Sequence, residues 1–300
     1  MELGKRVVGQ PRFAIYDIWC RVQVGDSAVG KGLMTKWGTI FLAAGGMLAS
    51  GLLSHADQPA KVTGAVNDVE HGLRAAVTTP AQIGSTIREG EYLKTGIKSR
   101  AELLLPTTSI TRLGSNTIFN YSVESNTIDL QSGTILFCKP KNAEQLNIKT
   151  AAVLAGIVGT TGFVSVQGEG KTTPKIFRLG IVEGHARATA NGRTFSLGAG
   201  DILEVRGGRP FTFAFDVPRF VRSSPLLHSF KSRLPNQSYI DAEIDRYQEE
   251  ASRGFIQSPS NAIDYSGDIP VLPTTAYDSA SNAQVPKGSP PPPPPQTPGR

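Results

Sequence analysis

Cysteine is almost absent from this 300-residue chain: Cys20 and Cys138 are the only two. Cys20 precedes a hydrophobic export segment and is expected to leave with it. Cys138 would then stand alone, which excludes a disulfide framework and a thiolate metal site. It lies in the apolar run Ile135-Leu136-Phe137-Cys138 and reads as a small buried hydrophobe. The four histidines (His55, His71, His185, His228) lack metal-ligand spacing, so no metal and no cofactor is expected. Charge is also sparse, at 19% of residues. The net charge of +6 is scattered, with no lysine–arginine block and only 7% aromatics to interleave with it. That distribution argues against nucleic-acid binding. What the chain does have is 32 glycines, 21 prolines and 39% hydrophobic residues. Such a mixture suits a real core built from short strands and frequent turns.

Residues 37–53 read WGTIFLAAGGMLASGLL, uncharged and preceded by Lys31 and Lys36. Ser54-His55-Ala56 follows, with small residues three positions and one position before a cut, and then polar Asp57. A positive flank, a short apolar run and a small-x-small site make a secretory signal, with cleavage expected between Ala56 and Asp57. Glycines and serine loosen the run and leave it at the short end for a membrane span. Residues 1–56 are thus read as a leader; Met34 begins a more ordinary one, which leaves residues 1–33 as either a misassigned start or a short cytoplasmic extension. Within it, Gly25–Lys31 mimics a phosphate-binding loop, but Gly32 replaces the Ser or Thr that would hold magnesium.

Residues 65–215 read as one β domain. Segments 101–105, 109–113, 117–121, 127–130 and 134–138 recur at a spacing typical of a sandwich, roll or barrel. The continuous apolar run Ala151–Val158 predicts a strand buried on both faces or a tight β-arch. Asn191-Gly192 is the best hairpin signal, since both residues tolerate positive φ. Gly96, Gly114, Gly133, Gly159, Gly184 and Gly200 stand where strands are expected to end. Gly156, Gly159 and Gly162 imitate a dinucleotide fingerprint, but the spacing is wrong and a strand follows where a helix is needed.

Residues 219–257 change character. Over 238–253, Ile240, Ile244, Tyr247 and Ala251 form one stripe behind Ser238 as N-cap, which predicts an amphipathic helix packed on the β domain, or failing that on a partner. Residues 258–300 are rich in Ser, Asn, Asp, Gly and Pro and end near the run Pro290–Pro295. Such a tail is expected to be disordered, with polyproline II in the proline run.

Several elements in order resemble the FecR domain, named for the regulator of ferric citrate uptake. They are Thr95-Gly96, the strand 99–105, Arg112-Leu113 with Gly114, the segment Thr150–Thr160 with Gly156 and Gly159, then Phe163, Glu183-Gly184 and Gly200-Asp201. The resemblance implies an all-β, twisted roll or solenoid-like fold that works through protein contacts without a catalytic centre. In signalling members this domain faces the periplasm and relays the state of an outer-membrane receptor to a sigma factor. Such members carry a cytoplasmic sigma-binding domain first; residues 1–36 are too short for one, so the resemblance is to a stand-alone member. The common Asp-Gly-Ser turn is replaced by Pro106-Thr107-Thr108-Ser109.

The expectation is an exported, periplasmic or extracellular interaction or sensing module whose partner is an envelope protein or glycan. A membrane-anchored regulator facing the periplasm, with its leader uncleaved, is the first alternative. A cell-wall glycan hydrolase is the second, using Glu183 with His185, or Asp201 with Glu204. Polar positions on alternating strands account for these four residues more simply.

Overall fold

The computed structural model describes residues 58–168, 175–254 and 263–271. The leader, its cleavage site Ala56–Asp57 and the proline run lie outside the described residues. Among those described, no helix is long and apolar enough to cross a membrane.

The fold is all-β, with fifteen strands in one sheet among the described residues. In chain order these are β1 (Ala60–Val66), β2 (Val69–Arg74), β3 (Val77–Pro80), β4 (Thr86–Ile87), β5 (Tyr92–Thr95), β6 (Arg100–Leu104), β7 (Ile110–Leu113) and β8 (Ile118–Ser122). They continue as β9 (Thr127–Cys138), β10 (Leu146–Lys149), β11 (Val153–Gln167), β12 (Ile176–Ala190), β13 (Arg193–Gly198), β14 (Asp201–Arg206) and β15 (Arg209–Ala214). Pairing is antiparallel except between β9 and β10.

Three long strands change partners halfway. The first half of β11 pairs with β10 and its second half with β9, while β12 spans its far side throughout. On its other edge β12 pairs first with β14 and then with β13. Along β9, the first half pairs with β8 and the second with β7. A positive-φ glycine sits inside each long strand: Gly133 (φ 90), Gly159 (φ 57) and Gly184 (φ 85). The expectation that these three mark strand ends is therefore corrected: each sits where its strand turns from one partner to the next. A left-handed residue keeps the chain extended on both sides while changing its direction, as in a β-bulge. Of the other expected strand-end glycines, Gly200 does have positive φ (87), in the turn before β14. Gly96 and Gly114 instead serve close approach, with the carboxylates of Asp68 and Asp268 filling the space a Cβ would need.

Between the bends the sequence runs Ile135-Leu136-Phe137-Cys138 without a polar residue because both faces are covered. Ile135 and Phe137 enter the inner core with Leu113, Val164 and Leu179. Leu136 and Cys138 face a second core with Phe163, Val182 and Ile202. The chain after β15 supplies the other side of that second core.

This C-terminal layer holds three helices where one was expected: α1 (Val217–Ser223), α2 (Pro225–His228) and α3 (Gln237–Ser252). Asp216 caps α1 by accepting from the Arg219 N–H, and Pro218 suits the first turn, where no N–H partner exists. Phe215 and Phe220 pack against Phe163 with ring centroids 5.6 and 5.0 Å apart. Ile240 is buried, and Ile244 and Tyr247 pack beside it; Ala251 is exposed. Residues 263–271 correct the expectation of disorder from 258 onward. Ile263, Tyr265 and Ile269 are buried in the second core, and Asp264 bridges to Val271. Three apolar side chains in nine residues are enough to anchor a segment whose average composition is polar.

Candidate functional site

The bend in β11 and β12 gathers four of the residues singled out from the sequence: Gly159, Thr160, Glu183 and Gly184. Gly184 must lack a Cβ because the Gly159 carbonyl would meet it at 2.8 Å. The Thr160 hydroxyl lies within hydrogen-bonding reach of the carbonyls of His185 (2.6 Å) and Val158 (2.8 Å), the register pair next to the bend. Beside it, the Thr161 hydroxyl donates to Glu183 Oε2 at 3.3 Å. Glu183 is 4% exposed. Burial pushes its carboxyl above the ordinary range, against Lys141, Asn236 and Thr161, which pull it down.

Asn236 closes this arrangement from the C-terminal layer. Its Nδ2 faces the Lys139 carbonyl (2.9 Å), Thr161 Oγ1 (3.2 Å) and Glu183 Oε2 (3.2 Å). It also occupies the N-cap position of α3, where Ser238 was expected, yet its side chain makes no cap bond. The amide is committed to the bend. A groove of about 590 Å³ lies between the bend and α3, lined by Lys141, Val158, Glu183, His185, Tyr239 and Arg246 among others. Lys141 Nζ stands 3.8 Å from Glu183 Oε1 and 3.5 Å from the Tyr239 ring centre.

A second junction centres on Arg112, which is 1% exposed. Its Nε donates to Glu102 Oε2 at 2.8 Å, and its terminal nitrogens reach the carbonyls of Leu226 (3.0 Å), Leu227 (3.1 Å) and Ser232 (2.6 Å). A planar fork with fixed donors suits this task, joining a sheet carboxylate to a turn of the C-terminal layer. Leu113 points into the inner core. A third junction pairs Arg100 with Asp268 at 3.2 Å.

The remaining motif residues are distributed along the sheet. The Thr95 hydroxyl donates to the Gly114 carbonyl at 2.6 Å and accepts from the Thr117 N–H at 3.0 Å. Thr150 accepts from the N–H groups of Ala152 and Val153, closing the turn before β11. A Cβ at Gly156 would meet Gln145 Nε2 at 3.0 Å. Asp201 accepts from the Gly198 N–H at 2.8 Å and is raised mainly by burial.

Of the two arrangements considered for hydrolysis, Glu183 with His185 forms no bonded pair among the described residues. Glu183 and His185 line the same groove, but the partners of Glu183 are Thr161, Asn236 and Lys141. Glu204 is fully buried with Arg178 at 2.7 Å and Arg206 at 3.1 Å, while Asp201 accepts from the Gly198 N–H.

Sequence reading missed Glu102, Asn236, Asp268 and the Arg178–Glu204 pair. The signal for Glu102 was available: β6 and β7 form a tight hairpin, which sets Glu102 opposite Arg112. Asn236 and Asp268 act through tertiary docking, which no local pattern announces.

A bent all-β domain braced by buried ion pairs, and covered on one side by its own C-terminal layer, is thus the class defined by the geometry. The FecR protein family model matches residues 91–187, from just before β5 to the second half of β12, so the chain carries a FecR-type domain. Two crystal structures of a candidate anti-sigma factor from Parabacteroides distasonis ATCC 8503 are similar to it at 13% sequence identity and a TM-score of 0.37. One alignment covers 46% of this chain and 70% of that one, the other 53% and 74%. No curated protein matches the chain.

Proposed function

We propose that this chain is an exported, non-enzymatic cell-envelope module of FecR type that senses or relays through surface contacts, in the periplasm or outside the cell. The FecR-type domain supports a role in envelope signalling. The observation that carries the non-enzymatic part is where the polar motif residues spend their bonds. Arg112, Thr160, Thr161 and Glu183 are bonded to the bends and to the C-terminal layer. Residues committed to holding a fold leave its surface to do the recognition.

Export is supported by the signal-like segment ending at Ala56. The intact mass of the native protein tests it: a chain beginning at Asp57 and recovered from the envelope fraction is expected. A full-length native chain in the membrane fraction would replace this reading with that of an anchored regulator. Peptidoglycan turnover abolished by Glu183→Gln would replace it with a hydrolase.

A further inference from the structure

The run Ala151–Val158 predicts a strand covered on both faces, and half of that prediction is unmet. Val153, Ala155 and Ile157 point into the inner core. The alternate positions are Leu154, Gly156 and Val158, where an antiparallel strand with one solvated face would normally carry polar residues. Leu154 is 55% exposed and Val158 56%. Farther along the same strand the matching outer position, Phe163, is covered by the C-terminal layer. That layer leaves Leu154 and Val158 open.

Register fixes what surrounds them. Lys149 stands opposite Leu154 on β10; Arg187 and His185 stand opposite Gly156 and Val158 on β12. All three are exposed. Asp129 lies across from Lys149 on β9, half-buried, and the outer positions of β13 add Thr194 and Ser196. Neither Lys149 nor Arg187 has an ion-pair partner among the described residues. The face therefore carries two large aliphatic side chains beside two cations without ion-pair partners, with Val158 also on the groove next to α3.

We propose that this outer face of β10–β13 is the docking surface of a partner protein that brings acidic side chains to Lys149 and Arg187 and apolar ones to Leu154 and Val158. The proposal rests on the reading that this protein works by surface contacts. Interfaces combine an apolar centre with a complementary charged rim, and the residues here are arranged that way. A second copy of this chain would set like charges against each other. A glycan would be expected to stack on aromatic rings, whereas Leu154 and Val158 are aliphatic and Lys141 Nζ occupies one face of the nearby Tyr239 ring.

The test uses the processed protein with short peptides alternating glutamate and valine, lysine and valine, or glutamate and serine, and with polygalacturonate as an anionic glycan. The glutamate–valine peptide is expected to bind saturably and to weaken as salt is raised. Lys149→Glu with Arg187→Glu, and separately Leu154→Ser with Val158→Ser, are each expected to weaken it by about tenfold or more. Circular dichroism checks that these surface variants stay folded. Equal binding of either control peptide, competition by polygalacturonate, indifference to both variant pairs, or no binding at all overturns the proposal. So does self-association, seen by sedimentation, that either variant pair abolishes. A native chain beginning at Asp57 together with any of those results removes this surface while leaving the envelope reading intact.

Discussion

Arg112 shows how one side chain can hold two layers. Arg112→Ala would leave Glu102 buried without its partner and strand the carbonyls of Leu226 and Ser232. Denaturant unfolding is expected to show a loss of about 3–5 kcal/mol, the usual cost of breaking a buried pair on one side. Arg112→Met combined with Glu102→Leu should recover much of that loss, because no charge is then left alone. Equal losses in the single and double variants would show that the pair matters only for its volume. Glu183 makes a prediction of opposite character. Burial raises its folded-state carboxyl above the ordinary value of 4.5, so folding favours the neutral form relative to the unfolded chain. The stabilisation is complete below that ordinary value and is lost as pH rises through the higher folded value. Glu183→Gln should flatten this decline across that window, and be at least as stable as the parent near neutrality. Parallel pH profiles for the two proteins would rule it out.

At the scale of elements, the bends are the test. Gly184 has φ 85 and no room for a Cβ, whereas Gly192 has φ 72 and open space around it. Gly184→Ala is expected to cost more than about 1 kcal/mol. Gly192→Asn should change stability by about 0.5 kcal/mol or less, since asparagine accepts the left-handed region. Thermal midpoints of the two variants measure the contrast. Much of the strand layout was readable in the sequence because alternation and turn residues are local signals. The Asn191-Gly192 hairpin is a clear case, with φ 48 and 72. The fusion of short segments into the long strands β9, β11 and β12 was not readable, because a glycine that ends a strand and one that bends it look alike. Burial of Glu183 and the role of Asn236 depend on α3 arriving from fifty residues and more along the chain. The packing of 263–271 was hidden because three apolar residues are diluted by their polar neighbours.

At the scale of the molecule, the FecR-matched segment does not stand by itself. It ends at Arg187, yet the second core that covers Leu136, Phe163 and Val182 is completed by Phe215, Phe220, Ile240 and Tyr265. A chain cut after Ala214 would expose that apolar face and remove the carbonyl acceptors of Arg112, leaving it only Glu102. Such a truncation is expected to bind the dye ANS and to lose the sharp cooperative unfolding of the whole chain. A monomeric truncation with an unchanged melting transition would show that the C-terminal layer is only an ornament on an independent sheet. Within the intact chain, Phe220→Ala should cost about 3–5 kcal/mol, as for other buried aromatics, measured by urea unfolding.

The separation of Arg112 from its acceptors, 114 to 120 residues later in the chain, has a consequence for how the protein comes into being. A polypeptide made or threaded from its N-terminus can complete the inner layer while the outer side of Leu136 and Phe163 still waits for its cover. Assembly that depends on such distant pairings is slow, and the waiting surface is sticky. Until the stretch from Phe215 to Ile269 arrives, the newborn chain is expected to be a client for a holdase, and the docking of that stretch is what would release it.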